Sequence, residues 1–87
     1  MVSMNDTSFK TIEQKLVKQV AAILAVGANH VSPDAPLHTL GVDSLSFIEL
    51  LVFIEKEFKI KLMESGMTRD DFRTIRSLAK RIDKAIA

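Results

Sequence analysis

Three stretches of this 87-residue chain repeat their apolar residues at steps of three and four, which leaves helices as its building elements. Between Ser8 and Ala25, the residues Phe9, Ile12, Leu16, Val20, Ile23 and Leu24 form one stripe. Between Ser44 and Phe58, the residues Phe47, Leu50, Leu51, Ile54 and Phe58 gather on one side, with Ile48 at its edge. After Thr74 the pattern returns in Ile75, Leu78, Ala79, Ile82 and Ile86. Lys59-Ile60-Lys61-Leu62 alternates, but four unpaired residues do not make a stable strand. We read them as a linker that pins Ile60 and Leu62 to the core. The expected fold is all-α: a small four-helix bundle of three long helices and one short third helix, with a long loop between the first and second.

The breaks between stripes follow from local chemistry. Gly27 is expected to stop the first helix, whose start is left open by a possible later capping pair, Thr11 and Gln14. The long loop carries Pro33 and Pro36, with Val31, Leu37 and Leu40 as apolar pins and Ser32 placed to cap a single turn. Gly66 marks a turn, Thr68 offers a cap for the short helix Arg69–Arg73, and Asp70 and Asp71 favour its first turn. Thr74 can cap the last helix.

A chain of 87 residues is expected to form one domain, 1–87, with residues 1–7 a flexible lead-in. It contains no cysteine, so helix packing alone must stabilise it, and any thiol chemistry needs a sulfur from elsewhere. The net charge of +1 conceals a division. Residues 28–58 carry five acids and one base, a net −4, whereas 59–87 carry eight bases and four acids, a net +4. That division favours a cationic partner for the acidic region. No apolar run approaches the length of a membrane span, and the opening residues lack the pattern of a signal or transit peptide. A cytoplasmic monomer is expected.

The hexapeptide Leu40-Gly41-Val42-Asp43-Ser44-Leu45 opens the second long helix. Asp43 is a good N-cap, because its carboxylate can accept from the first free backbone N–H groups. Val42 and Phe47 have the spacing of a hydrophobic staple, and Gly41 permits a backbone conformation that bulkier residues resist. Ser44 falls on the first turn, with its hydroxyl toward solvent. A catalytic serine needs a base within reach and an oriented partner. Only His30 and His38 offer imidazoles, both in the proline-bearing loop, and no Gly-x-Ser-x-Gly elbow is present. No catalytic residue is expected. The histidines and Asp34 show no metal-ligand spacing, so no metal is expected either. Arg76, Lys80 and Lys84 form a basic stripe, but a chain at +1 without Trp or Tyr reads as having a solvated helix face rather than a nucleic-acid surface.

This hexapeptide, with Glu49-Leu50, Glu55-x-Glu57-Phe58, Asp71-Phe72-Arg73-Thr74-Ile75 and Ser77-Leu78, resembles the acyl carrier protein family over most of the chain. In that family a serine in this position is esterified by 4′-phosphopantetheine, whose thiol carries acyl groups as thioesters. The resemblance implies that Ser44 is the attachment site, that Asp43 and Leu45 are read by a phosphopantetheinyl transferase, and that acyl-loading and acyl-processing enzymes dock on the helix that follows. A phosphodiester at Ser44 would gain about 0.3–1 kcal/mol from an exposed helix N-terminus. Asp43 repels it, and solvent screens both effects, so an attached arm is expected to swing.

Leu45, Glu49, Val52 and Lys56 step along the face of the helix away from its core, with Phe53 and Glu55 alongside, and form the expected docking strip. Isolated surface hydrophobes are the plainer reading of Leu45 and Val52. Ser46 and Lys56 stand where carriers of bacterial fatty acid synthesis are often acidic. The likeness therefore points to a free-standing carrier of a specialised lipid or polyketide pathway. An aminoacyl or peptidyl carrier, and an unmodified helical interaction module with the same fold, are the alternatives.

Overall fold

The computed structural model describes residues 9–61 and 69–86. Helix α1 spans Phe9–Leu24, a single helical turn α2 spans Leu37–Leu40, α3 spans Ser44–Phe58 and α4 spans Ile75–Ile86. Short 3-10 turns lie at Ala28–His30 and Arg69–Phe72. The short third helix of the sequence reading is thus a 3-10 turn that ends one residue early. The expected flexible lead-in 1–7, the Leu62 pin, the Gly66 turn and the Thr68 cap fall outside the described residues. The bundle is all-α, and among the described residues no helix is long and apolar enough to cross a membrane.

α1 packs chiefly against α4 and α3. The step of four along α1 brings Ile12, Leu16 and Val20 onto one line, and all three are buried together with Ala21. Leu50 and Ile54 meet them from α3; Ile75, Leu78, Ala79 and Ile82 meet them from α4. Each fully buried Leu or Ile contributes about 1.5–3 kcal/mol by leaving water, which is how a chain without disulfides holds together. Ile86 does not join them. It is exposed, and the buried stripe of α4 ends one turn earlier at Ile82.

α4 starts on a reciprocal cap. The Thr74 hydroxyl accepts from the Ser77 N–H at 3.0 Å, and the Ser77 hydroxyl oxygen accepts from the Thr74 N–H at 3.0 Å. α1 stops in a different way from that expected. The left-handed residue is Ala25, with φ +59°, while Gly27 has an extended backbone. Ala25 N–H donates to the Ala22 carbonyl and Val26 N–H to the Ala21 carbonyl, so the last orphan carbonyls are satisfied without a glycine. An alanine in this region is strained. Ala25→Gly is expected to stabilise the protein by about 0.5–1 kcal/mol, which a thermal melt would register as a rise of a few degrees.

The long loop is ordered by attachment to the start of α4. Val31 and Leu37 are buried and Leu40 is half-buried, as the pins required. Leu37 N–H donates to the Arg73 carbonyl at 2.9 Å, and Arg76 N–H donates to the Pro33 carbonyl at 3.0 Å. The second bond satisfies one of the free donors in the first turn of α4. Arg76 also reaches Glu13 Oε2 at 3.0 Å and Asp34 Oδ1 at 2.7 Å. Its expected place in a solvated basic stripe is therefore corrected. It fastens α1, the loop and α4, and Glu13 and then Asp34 raise its pKa.

Candidate functional site

The fastened loop delivers α2 to the start of α3, and the site is built at that junction. α2 ends on Gly41 at φ +104°. Gly41 N–H donates to the His38 carbonyl and Val42 N–H to the Leu37 carbonyl, so the turn closes before the next helix begins. A Cβ on Gly41 would stand 3.8 Å from Leu24, an ordinary contact, so the need for glycine comes from the backbone angle and not from crowding.

Asp43 is extended, and its Oδ1 accepts from Ser46 N–H at 2.8 Å. Phe47 N–H donates to the Asp43 carbonyl at 2.8 Å, the first intrahelical bond of α3. Val42 and Phe47, on either side, are half-buried against the core, where the staple spacing placed them. Ser44 stands between these anchors, exposed on the first turn, and no hydrogen bond among the described residues engages its hydroxyl. Rigid on both sides and open in front, it can be reached by another enzyme and would leave an attached group free to move. Nearby, an open groove of about 330 Å³ is lined by Leu37, His38, Phe47, Phe72 and Arg73, with the Phe47 and Phe72 rings meeting edge-on at 5.3 Å. His38 is exposed on α2 and makes no hydrogen bond to Ser44 among the described residues. Among those residues, no cluster of three or more His, Asp or Glu could hold a metal ion.

The Ser46 backbone N–H, and then the Ser46 hydroxyl, hold the Asp43 carboxyl below the usual carboxylate range. A folded-state pKa below the unfolded value gives stability that is present above the unfolded value, about 3.9, and is lost as pH falls through the folded one. Asparagine caps nearly as well but does not titrate. Asp43→Asn is therefore expected to lose less melting temperature than the wild type as pH is lowered below about 4, the two curves lying close together at neutral pH. Parallel curves across the acid range would remove this role from the Asp43 charge.

The strip expected to dock partners is exposed in part. Leu45 is 68% and Val52 47% exposed, and Glu49 and Lys56 are also exposed. Two assignments change places. Phe53, expected on the strip, is half-buried, its ring packed against the core and edge-on to Phe58 at 6.5 Å. Ile48, expected at the edge of the core, is 56% exposed. Glu55 is half-buried. The missed signal was present in the numbering: Ile48 is four residues from both Ser44 and Val52, which places all three on one face.

Comparison with known proteins now bears on this geometry. Residues 14–82 match the family model described as the phosphopantetheine attachment site. An acyl carrier protein, AcpXL, of Mesorhizobium japonicum is 28% identical, the alignment covering 88% of this chain and 94% of that protein. An acyl carrier protein of Nitratidesulfovibrio vulgaris (strain DP4) is 32% identical over 84% of this chain and 91% of its own length. Aminoacyl carrier protein 1 of Bradyrhizobium diazoefficiens is 29% identical over 78% of this chain and 74% of its own. No solved structure matches.

Proposed function

Since the chain belongs to the phosphopantetheine attachment site family, we propose that Ser44 is the residue to which its 4′-phosphopantetheine is joined. The protein is an acyl carrier protein whose prosthetic group is covalently bound. The observation that carries the assignment to Ser44 is an exposed hydroxyl on the first turn of α3, behind the Asp43 cap. Its oxygen forms a phosphodiester bond as the phosphoanhydride of coenzyme A breaks and the adenosine bisphosphate leaves, the hydroxyl proton passing to a base of the transferase. When bound, the group supplies a thiol that holds acyl cargo as a thioester, which a chain without cysteine cannot do.

The chain's own residues then position and present. Asp43 keeps the first turn of α3 closed and is open to recognition by the phosphopantetheinyl transferase, with Leu45 beside it. The rest of the exposed face of α3 meets the loading and processing enzymes. The protein catalyses nothing itself and works as a cytoplasmic monomer. A specialised lipid or polyketide pathway fits best, because Ser46 and Lys56 lower the acidity of α3. The likeness to an aminoacyl carrier protein supports a second reading, in which the thioester holds an amino acid. Incubation of apo protein with coenzyme A and a broad-specificity transferase tests the attachment. A mass gain of one prosthetic group is expected. An unchanged mass, where a control carrier is modified, would favour an unmodified interaction module.

A further inference from the structure

The bundle carries its free positive charge at the end farthest from Ser44. α1 and α3 run in opposite directions, since Leu24 lies beside Gly41 and Lys15 Nζ reaches Glu57 Oε2 at 2.8 Å. Lys59 closes α3 about 22 Å along the helix from Ser44, and Lys61 follows it. α4 also runs opposite to α1: Arg76 meets Glu13, and Lys80 and Lys84 share a groove with Phe9, the first residue of α1. Lys10, Lys59, Lys61, Lys80 and Lys84 therefore gather at one end, and all five are exposed. None of them has an ion pair among the described residues, whereas Arg76 is tied to Glu13 and Asp34 and Arg81 faces Asp71. The nearest acids outside those pairs, Glu55 and Asp83, are both half-buried. Asp43 and Glu49 stand at the other end, within about two turns of Ser44. The molecule is polar along its length.

What the cationic end fits follows from its shape and composition. Lysine is a flexible point charge, better suited to many scattered anions than to one held in fixed geometry. The open groove of about 730 Å³ between Phe9 and α4 also has Asp71 and Asp83 on its walls, so it is a poor seat for a single anion. Ile86, 43% exposed, lies two residues beyond Lys84 and offers an apolar contact among the cations. Lysines around an exposed aliphatic side chain suit the headgroup level of an anionic bilayer. A nucleic acid fits less well, because Arg76 and Arg81 are engaged and the chain has no Trp or Tyr to stack on bases.

We propose that this end rests on a membrane surface of anionic lipids and holds Ser44 outward, toward water. At physiological salt, screening acts over about 8 Å, so Asp43 at the far end does not oppose the contact. The contact does not depend on what Ser44 carries.

The wild-type carrier should co-sediment with vesicles of phosphatidylcholine and phosphatidylglycerol at about 7:3, and not with phosphatidylcholine alone. Each lysine near such a surface multiplies partitioning by about fivefold. Lys80→Gln combined with Lys84→Gln should therefore lower binding about tenfold or more, and roughly 500 mM NaCl should abolish it. Both lysines are exposed and free of ion pairs, so the double variant should keep the wild-type melting temperature. Ser44→Ala should bind as the wild type does, which keeps this test separate from that of the attachment point. Because the chain has no cysteine, a polarity-sensitive fluorophore can be placed singly at Ala85→Cys or at Val26→Cys, on opposite ends. Anionic vesicles should blue-shift the emission of the first and leave the second unchanged. Equal binding to neutral vesicles, binding indifferent to the double substitution or to salt, or a shift at Val26→Cys would each overturn the proposal. So would no binding to the anionic vesicles, which would leave an acidic protein surface as the occupant of this end.

Discussion

Ser44→Ala is expected to give a folded carrier that gains no prosthetic group, whereas Ser46→Ala should still be modified in full. The difference lies in what each hydroxyl is already doing. Ser46 is half-buried on the turn that Asp43 caps, the Ser77 hydroxyl is built into the start of α4, and Thr39 Oγ1 donates to the Pro36 carbonyl at 2.7 Å. Ser44 alone at this end combines exposure with a hydroxyl unengaged among the described residues. Its replacement should not damage the fold. Asp43 keeps the cap, and alanine is the better helix former by no more than about 0.5 kcal/mol. An unchanged or slightly raised melting temperature together with complete loss of modification separates attachment from a structural role. Intact mass and a thermal melt on the same sample measure both.

Ile54→Ala should destabilise the protein by about 2–5 kcal/mol, since the residue is fully buried and its loss leaves a cavity at the meeting of α1, α3 and α4. Domains of this kind hold only about 5–15 kcal/mol in total. A large part of the population could then be unfolded at moderate temperature, with the melting temperature lower by roughly 10 °C or more. Val52→Ala, two residues away and 47% exposed, should stay within about 0.5 kcal/mol of wild type. Chemical denaturation of the pair reads the two faces of α3 separately. Equal losses would mean that the assignment of its faces is wrong.

Those faces were only partly legible in the sequence. Both ends of α3 are marked locally, by Asp43 at the start and by the change from Phe58 to Lys59 at the finish, and its bounds came out as read. The seam between its faces is less clear. Phe47, Ile48 and the run Leu50–Ile54 place apolar residues nearly all round the helix, which weakens the period as a guide. Tertiary packing then decided that Phe53 turns inward against Phe58 and that Ile48 stays out. Ala25 is a similar case. Gly27 was the obvious stop signal, but the carbonyl pairing of the last turn of α1 closes two residues earlier.

The charge pattern was legible in the sequence only as a count. Linear sequence cannot show that Asp34 meets Arg76 and Glu57 meets Lys15 across the bundle. Nor could it show that the loop is bonded to Arg73 and Arg76 at the start of α4. The candidate site itself was legible, because Gly41, Val42, Asp43, Ser44 and Phe47 lie within seven residues of chain. Local capping chemistry survives folding, whereas partners far apart in sequence depend on it.

Fragment mass spectrometry of the carrier purified from its native host decides whether Ser44 is the attachment point. The peptide containing Ser44 should carry the mass of one phosphopantetheine, with the fragments placing it on that serine. The group located on any other residue, or a population uniformly at the mass of its amino acids, would contradict it.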